Sequence, residues 1–190
     1  MEQPPIVVGV SGASGAPIAL RVLQALAEAK APVDLVVSDG ARLVLREECS
    51  IEPDALRPWA THVYADTDLA APIASGSVPT RGMVVVPCST NTASKIALGL
   101  SDTLLTRAAS VHLKERRPLI VVPRETPLST ILLRHLATLS ELGVVVLVAA
   151  PPYYLHPKSV EEMTDYLAGK VLDHLGVPHR LYRGWKAGEE

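Results

Sequence analysis

Short runs of β-branched residues alternate with longer stretches of helical period along the chain. Ile6–Val10, Val33–Val37, Met83–Pro87, Leu119–Val122 and Val144–Val148 are nearly pure Val/Ile/Leu runs and predict strands, with a short further strand at His62–Tyr64. Ile18, Val22, Ala25, Leu26 and Ala29 mark the apolar face of a helix from about Ala16 to Ala29. A short helix with Leu43, Val44 and Glu48 follows the second strand. Two more start near Thr92 and near Ser101, where Asp102 or Thr103 serves the first turn. Thr126-Pro127 predicts the start of the next helix, with Pro at its first position. Its buried face is Leu128, Ile131, Leu132, His135 or Leu136, and Leu139, and Gly143 ends it. Ser159-Val160-Glu161-Glu162 has the form of a capping box for a last helix ending near Gly176.

This alternation predicts an α/β fold with a single doubly wound parallel sheet, a flavodoxin-like or Rossmann-like three-layer sandwich. Strands apolar on both faces agree with helices on both sides. One domain is expected over residues 1–190, with a tail from about 177 packing near the site. In such sheets ligands sit beyond the carboxyl ends of the strands. The polar residues placed just there are Gly12-Ala13-Ser14, Ser38, Cys88-Ser89-Thr90-Asn91-Thr92, Arg124-Glu125 and Tyr153-Tyr154.

Composition narrows the chemistry. The 190 residues are 48% hydrophobic and 20% charged, with net charge −2. That is too apolar for disorder, and no apolar run approaches the roughly 20 residues of a membrane span. The opening residues carry an acid and two prolines, so no secretory signal is expected. Lys114-Glu115-Arg116-Arg117 is the nearest thing to a basic patch, too short for a nucleic-acid footprint. Two cysteines and six histidines without ligand spacing predict no metal site and a cytoplasmic protein.

Each strand end has a bland reading beside the functional one. Gly12-Ala13-Ser14-Gly15 lets a ligand approach the backbone at a helix start, or it is only a tight turn. It matches neither GxGxxG, nor a Walker A loop, nor GxSxG. Ser89, Thr90, Asn91 and Thr92 suit a phosphate, or simply cap a helix. Two such junctions in one sheet favour a mononucleotide. Arg124-Glu125 joins a cation to an acid at the ligand edge, or is a surface ion pair. Cys88 reads as a small buried residue, not a nucleophile.

Taken together, these segments resemble the UbiX flavin prenyltransferases over nearly the whole chain, Val7 to Trp185. Gly12-Ala13-Ser14-Gly15-Ala16, Ala74-Ser75-Gly76-Ser77 and Pro87-Cys88-Ser89-Thr90-Asn91-Thr92 carry the likeness. So do Leu105-Thr106-Arg107-Ala108-Ala109, Leu113-Lys114-Glu115-Arg116-Arg117-Pro118-Leu119, Pro123-Arg124-Glu125-Thr126-Pro127 and Tyr154-Leu155-His156-Pro157. The resemblance implies a homo-oligomer, in that family a dodecamer, with sites at subunit contacts. It implies that reduced flavin mononucleotide (FMN) accepts a dimethylallyl group from dimethylallyl phosphate at N5 and C6. The prenylated FMN would serve UbiD-type decarboxylases.

Carried over by motif, Gly12, Ala13, Ser14, Ser38, Ser89, Thr90, Asn91, Thr92 and Arg124 hold the flavin. Tyr154 and Lys170 hold the prenyl phosphate, helped by Arg107, Lys114 and the Ser75-Gly76 loop. Ser14, Glu48 and Glu125 manage protons, and Trp185 forms part of the wall. Cations that neutralise a leaving phosphate replace the metal used elsewhere. The nearest rival is a decarboxylase of the phosphopantothenoylcysteine type. It expects an early catalytic His and a Pro-x-Met-Asn-x-x-Met-Trp segment. Only His62 precedes residue 100, and that segment is absent. A direct aromatic-acid decarboxylase and a non-catalytic flavin carrier are further rivals.

Overall fold

The structure, a computed structural model, describes residues 3–184. Its strands are β1 (Ile6–Val10), β2 (Val33–Val37), β3 (His62–Ala65), β4 (Gly82–Cys88), β5 (Leu119–Pro123) and β6 (Val145–Val146). Its helices are α1 (Ala16–Glu28), α2 (Asp39–Cys49), α3 (Thr90–Ala97), α4 (Leu104–Lys114), α5 (Thr130–Glu141) and α6 (Val160–Leu175). The strands form one parallel sheet in the order β3-β2-β1-β4-β5-β6. The chain therefore reverses direction across the sheet between β1 and β4. A crevice for a ligand opens beyond the strands at that point.

Alternation along each strand divides the core in two. Val8, Leu35, Val84 and Ile120 pack towards α1, α2 and α6. Val7, Val36, Val85 and Val121 pack towards α3, α4 and α5. Leu23 and Leu26 of α1 are fully buried in the first layer. Truncating either to Ala is expected to cost about 2–5 kcal/mol.

Several local expectations are corrected. Thr126-Pro127 does not start α5: that helix begins four residues after Thr126, where the Ser129 hydroxyl accepts from Leu132 N. Ile131 is 67% exposed, because α5 buries the stripe Leu132, Leu136 and Leu139 instead. The last strand is regular only over Val145–Val146, although Leu147 N and Ala149 N still donate to β5 carbonyls. As an edge strand it pairs on one side only. Thr103, not Asp102, caps α4, in a reciprocal box with Thr106. α3 starts at Thr90, two residues earlier than the apolar period suggests, because Ser89 is its cap. Ser159 caps α6, but the Glu162 carboxylate turns to Lys158 N, so the box is only half formed.

Candidate active site

The carboxyl edge is built from backbone turned towards the β1/β4 crevice. The Ser11 hydroxyl donates to Pro87 O at 2.9 Å and accepts from Ser89 N at 2.8 Å, locking the ends of β1 and β4 together. Gly12 meets Gly40 backbone to backbone. A Cβ on Gly12 would lie 2.9 Å from Gly40 Cα, so no side chain fits there. Two helix starts are thus drawn close: α2 with its cap Ser38, and α3 with its cap Ser89. Ser38 Oγ accepts from Ala41 N, and Ser89 Oγ accepts from Thr92 N while donating to Thr92 Oγ1. The capping reading of the Ser89 junction is therefore correct, Ser38 caps α2 in the same way, and the position of both on the crevice stands beside it.

Gly12, Ser38, Gly40 and Ser89 through Thr92 line a cavity of about 390 Å³. Asp66, Lys95, Thr103, Leu105 and Thr106 complete its wall. Asp66 accepts from Leu104 N through its carbonyl at 2.7 Å and from Leu105 N through its carboxylate at 2.8 Å, tying the start of α4 to this edge. Lys95 pairs with Asp102 at 2.6 Å, and this hydrogen bond holds the Asp102 carboxyl below its usual range.

Beside the cavity, the Ser14–Gly15 peptide is clamped from both sides. Glu48 Oε2 accepts from Gly15 N at 2.9 Å and from Ala16 N at 2.8 Å. Arg124 Nε donates to Ser14 O at 3.3 Å. Gly15 has φ 118° and no side chain to cap α1, so a carboxylate from α2 does it instead. Glu48 is thus occupied as a helix cap. The Ser14 hydroxyl, half-buried next to this clamp, has no hydrogen-bond partner among the described residues. Arg124 and Glu125 do not pair with each other. Glu125 is exposed and its carboxylate accepts from Thr126 N at 2.9 Å. Cys88 is fully buried, which pushes its thiol up to about 12 and leaves it unreactive at neutral pH.

The remaining predicted residues form two separate groups. Ser75, Gly76, Arg107 and Lys114 cluster on α4. Arg107 Nε donates to Ala74 O at 3.0 Å, and a Cβ on Gly76 would overlap the Lys114–Glu115 ion pair. Arg117 braces the same loop, donating to Gly76 O at 2.6 Å, Val78 O at 2.7 Å and Thr80 Oγ1 at 3.2 Å. Thr80 also bonds Nε2 of the fully buried His112 at 2.9 Å, whose Nδ1 meets Ala108 O at 2.7 Å. The carbonyl only accepts, so the proton is on Nδ1 and Thr80 donates to Nε2. Lys114 lies nine residues after Leu105 on α4, about 14 Å along the helix from the cavity wall.

Tyr154 and Lys170 form the other group, around Tyr166, Asp173 and the tail. Lys170 Nζ lies 3.4 Å from Asp173, which also binds His179 and the Tyr182 hydroxyl. Tyr182 sits over Gly169, where a Cβ would be 2.6 Å from its ring. Burial first, then the hydrogen bond with Asp173, raises the Tyr182 pKa. The described part of the tail thus packs on α6 beside Tyr154 and Lys170. Trp185 lies outside the described residues.

Sequence reasoning missed Gly40, Asp66 and Lys95 in the cavity, and Arg117 and Asp173 as braces. Gly40 and Asp66 each follow a strand closely, which was the available signal. Lys95 is five residues into a helix and gave none.

Comparison with known proteins bears on this geometry. The family model described as Flavoprotein matches residues 1–173. A flavin prenyltransferase UbiX of Thermoplasma acidophilum is 51% identical over 95% of this chain and 99% of its own length. A crystal structure of a UbiX protein in complex with FMN and dimethylallyl pyrophosphate superposes with a TM-score of 0.95 at 37% identity, covering 98% of this chain and 99% of that one. A dodecameric FMN-dependent UbiX-like decarboxylase from Escherichia coli O157:H7 gives 0.94 at 39% identity, covering 96% and 100%.

Proposed function

We propose, from the premise that this chain belongs to the Flavoprotein family, that it is a flavin prenyltransferase joining a dimethylallyl group to reduced FMN. One observation carries the reading: Gly12, Ser38 and Ser89 through Thr92 surround one cavity, with the clamped Ser14 peptide beside it. The donor set fits a mononucleotide. Two glycines leave room at the backbone, hydroxyls and helix starts face an anion, and a lysine stands in the wall. No dinucleotide fingerprint accompanies them.

When bound, the reduced flavin supplies the nucleophile. Arg124, anchored on Ser14 O, fixes the loop against which the flavin lies. Ser14 Oγ accepts or gives a proton, with Glu48 holding its peptide in place. Glu125, exposed at the ligand edge, receives a proton during turnover or leaves it to the departing phosphate. Arg107, Lys114, Lys170 and Tyr154 neutralise and orient the phosphate of dimethylallyl phosphate, which leaves without a metal.

In one protomer Lys114 and the cavity lie at opposite ends of α4. This supports a homo-oligomer, a dodecamer in this reading, in which a neighbouring copy completes the site. Exposed Leu98, Leu100, Ile131 and Leu133, on and after the packed pair α3 and α5, support the same reading. The product passes to a UbiD-type decarboxylase, in the cytoplasm. Among the described residues no helix is long and apolar enough to cross a membrane.

The test is to mix the protein with reduced FMN and dimethylallyl phosphate and weigh the flavin. A flavin heavier by one isoprene unit is expected. Unchanged flavin, or decarboxylation of an aromatic acid by the protein alone, overturns the reading. Sedimentation that shows a fully active monomer removes the shared site.

A further inference from the structure

The cavity wall contains hydroxyls, backbone amides, one carboxylate and a single cation among the described residues, Lys95. We infer that Lys95 is the residue that distinguishes FMN from riboflavin, by supplying the countercharge for the flavin's phosphate. This rests on the flavin reading of the same cavity and extends it to a residue that reading does not use.

A phosphate monoester carries about −1.5 to −2 charge near pH 7. Neutral donors at helix starts satisfy its oxygens but leave most of that charge uncompensated. Arg124, the other cation of this edge, is not part of the cavity wall, and its Nε is committed to Ser14 O. Lys95 follows Asn91 by four residues and Thr92 by three on α3, so it shares their face of the helix. Helical side chains lean towards the N-terminus, which carries the ammonium towards the start of α3, where Ser89 and Thr92 stand.

Its present partner does not remove it from this role. The Lys95 side chain is 26% exposed and Asp102 is 57% exposed. Such a half-solvated pair contributes little stability by itself. Asp102 is also placed by Thr106, which donates to it at 3.4 Å, and it precedes the α4 cap. The carboxylate therefore acts as a tether that keeps a long, flexible side chain at the wall, and an ammonium has two further protons to offer a ligand.

The experiment titrates the full-length protein with FMN and with riboflavin, following flavin fluorescence, for wild type, Lys95→Met and Lys95→Arg. Wild type is expected to prefer FMN. Lys95→Met should weaken FMN by about tenfold, typical of a lost charged hydrogen bond, and leave riboflavin unchanged. Lys95→Arg should restore most of the preference. The FMN affinity of wild type should fall with added salt, and that of Lys95→Met should not. Full FMN preference in the Met variant overturns the assignment and leaves the flavin reading intact. Equal loss of both flavins, with or without rescue by Arg, makes Lys95 structural and also overturns it. Wild type that binds neither flavin overturns both readings.

Discussion

The two ends of the sheet present their polar groups in different ways. At the carboxyl edge the groups are largely backbone: the Gly12–Gly40 contact, the clamped Ser14 peptide and the capped starts of α2 and α3. At the amino end, where α4 finishes, they are long side chains: Lys114, Glu115 and Arg117 against the Ala74–Thr80 loop. A backbone site is complete once strand and helix have formed. The side-chain end has a cavity of its own, about 570 Å³, walled by Leu113, Lys114, Arg116, Arg117, Leu142 and Val144, but its charges sit on long side chains that other groups have to hold in place. In the proposed reading the first arrangement would hold the flavin and the second the phosphate of the prenyl donor.

The harshest way to break this comparison is Gly12→Val. Its Cβ has backbone at 2.9 Å, and forced overpacking costs about 1–3 kcal/mol. Flavin affinity should drop by at least about tenfold, since that strain falls on the cradle itself. Equilibrium titration with FMN checks it. Affinity equal to wild type would mean that the two loops are not a rigid unit.

Glu125→Gln separates holding from reacting within the carboxyl edge. It keeps the bond to Thr126 N and removes proton exchange. FMN affinity should stay unchanged while prenyl transfer slows by at least about tenfold, a floor below the usual worth of an acid–base group. Single-turnover formation of the product reads it, and wild-type turnover would leave Glu125 as a loop stabiliser only.

Arg117→Lys addresses the amino end alone. A lysine cannot reach Gly76 O, Val78 O and Thr80 Oγ1 together. KM for dimethylallyl phosphate should rise about three- to tenfold, with FMN affinity and kcat nearly constant. If flavin affinity fell in parallel, the two ends would be one coupled unit.

The smallest effect is one of pH. Burial, and secondarily Arg117, lowers the His112 pKa, against the hydrogen bond to Ala108. The unfolded chain then takes up the proton first. This contribution is complete above about pH 6.5 and declines as pH falls through that value towards the folded pKa. Melting temperatures at pH 8 and pH 5.5 should differ less in His112→Gln than in wild type. Hydrogen exchange should show the Ala74–Thr80 loop opening in acid before the Gly12 loop. The reverse order would invert the comparison.

Much of this was legible in the chain before any coordinates. Pure Val/Ile/Leu runs predict buried parallel strands, and polar residues just past them predict the ligand edge. The structure brings Gly12, Ser38 and Ser89 through Thr92 together around one cavity. What failed was local competition. Ser129 offered α5 a better start than Thr126, and the buried stripe through Leu132 left Ile131 outside. Those outcomes depend on which face meets α3, which periodicity within one helix does not specify.

The amino-acid sequence by itself determined the layers, the strand ends and the residue types available for chemistry, because periodicity and turn chemistry are local. Only the tertiary structure decided that Glu48 caps a helix 32 residues away and that Arg124 clamps a peptide 110 residues away. It alone put Lys114 at the far end of α4 from the cavity. Such partners meet because the sheet order brings β1 between β2 and β4, and no local pattern encodes that adjacency.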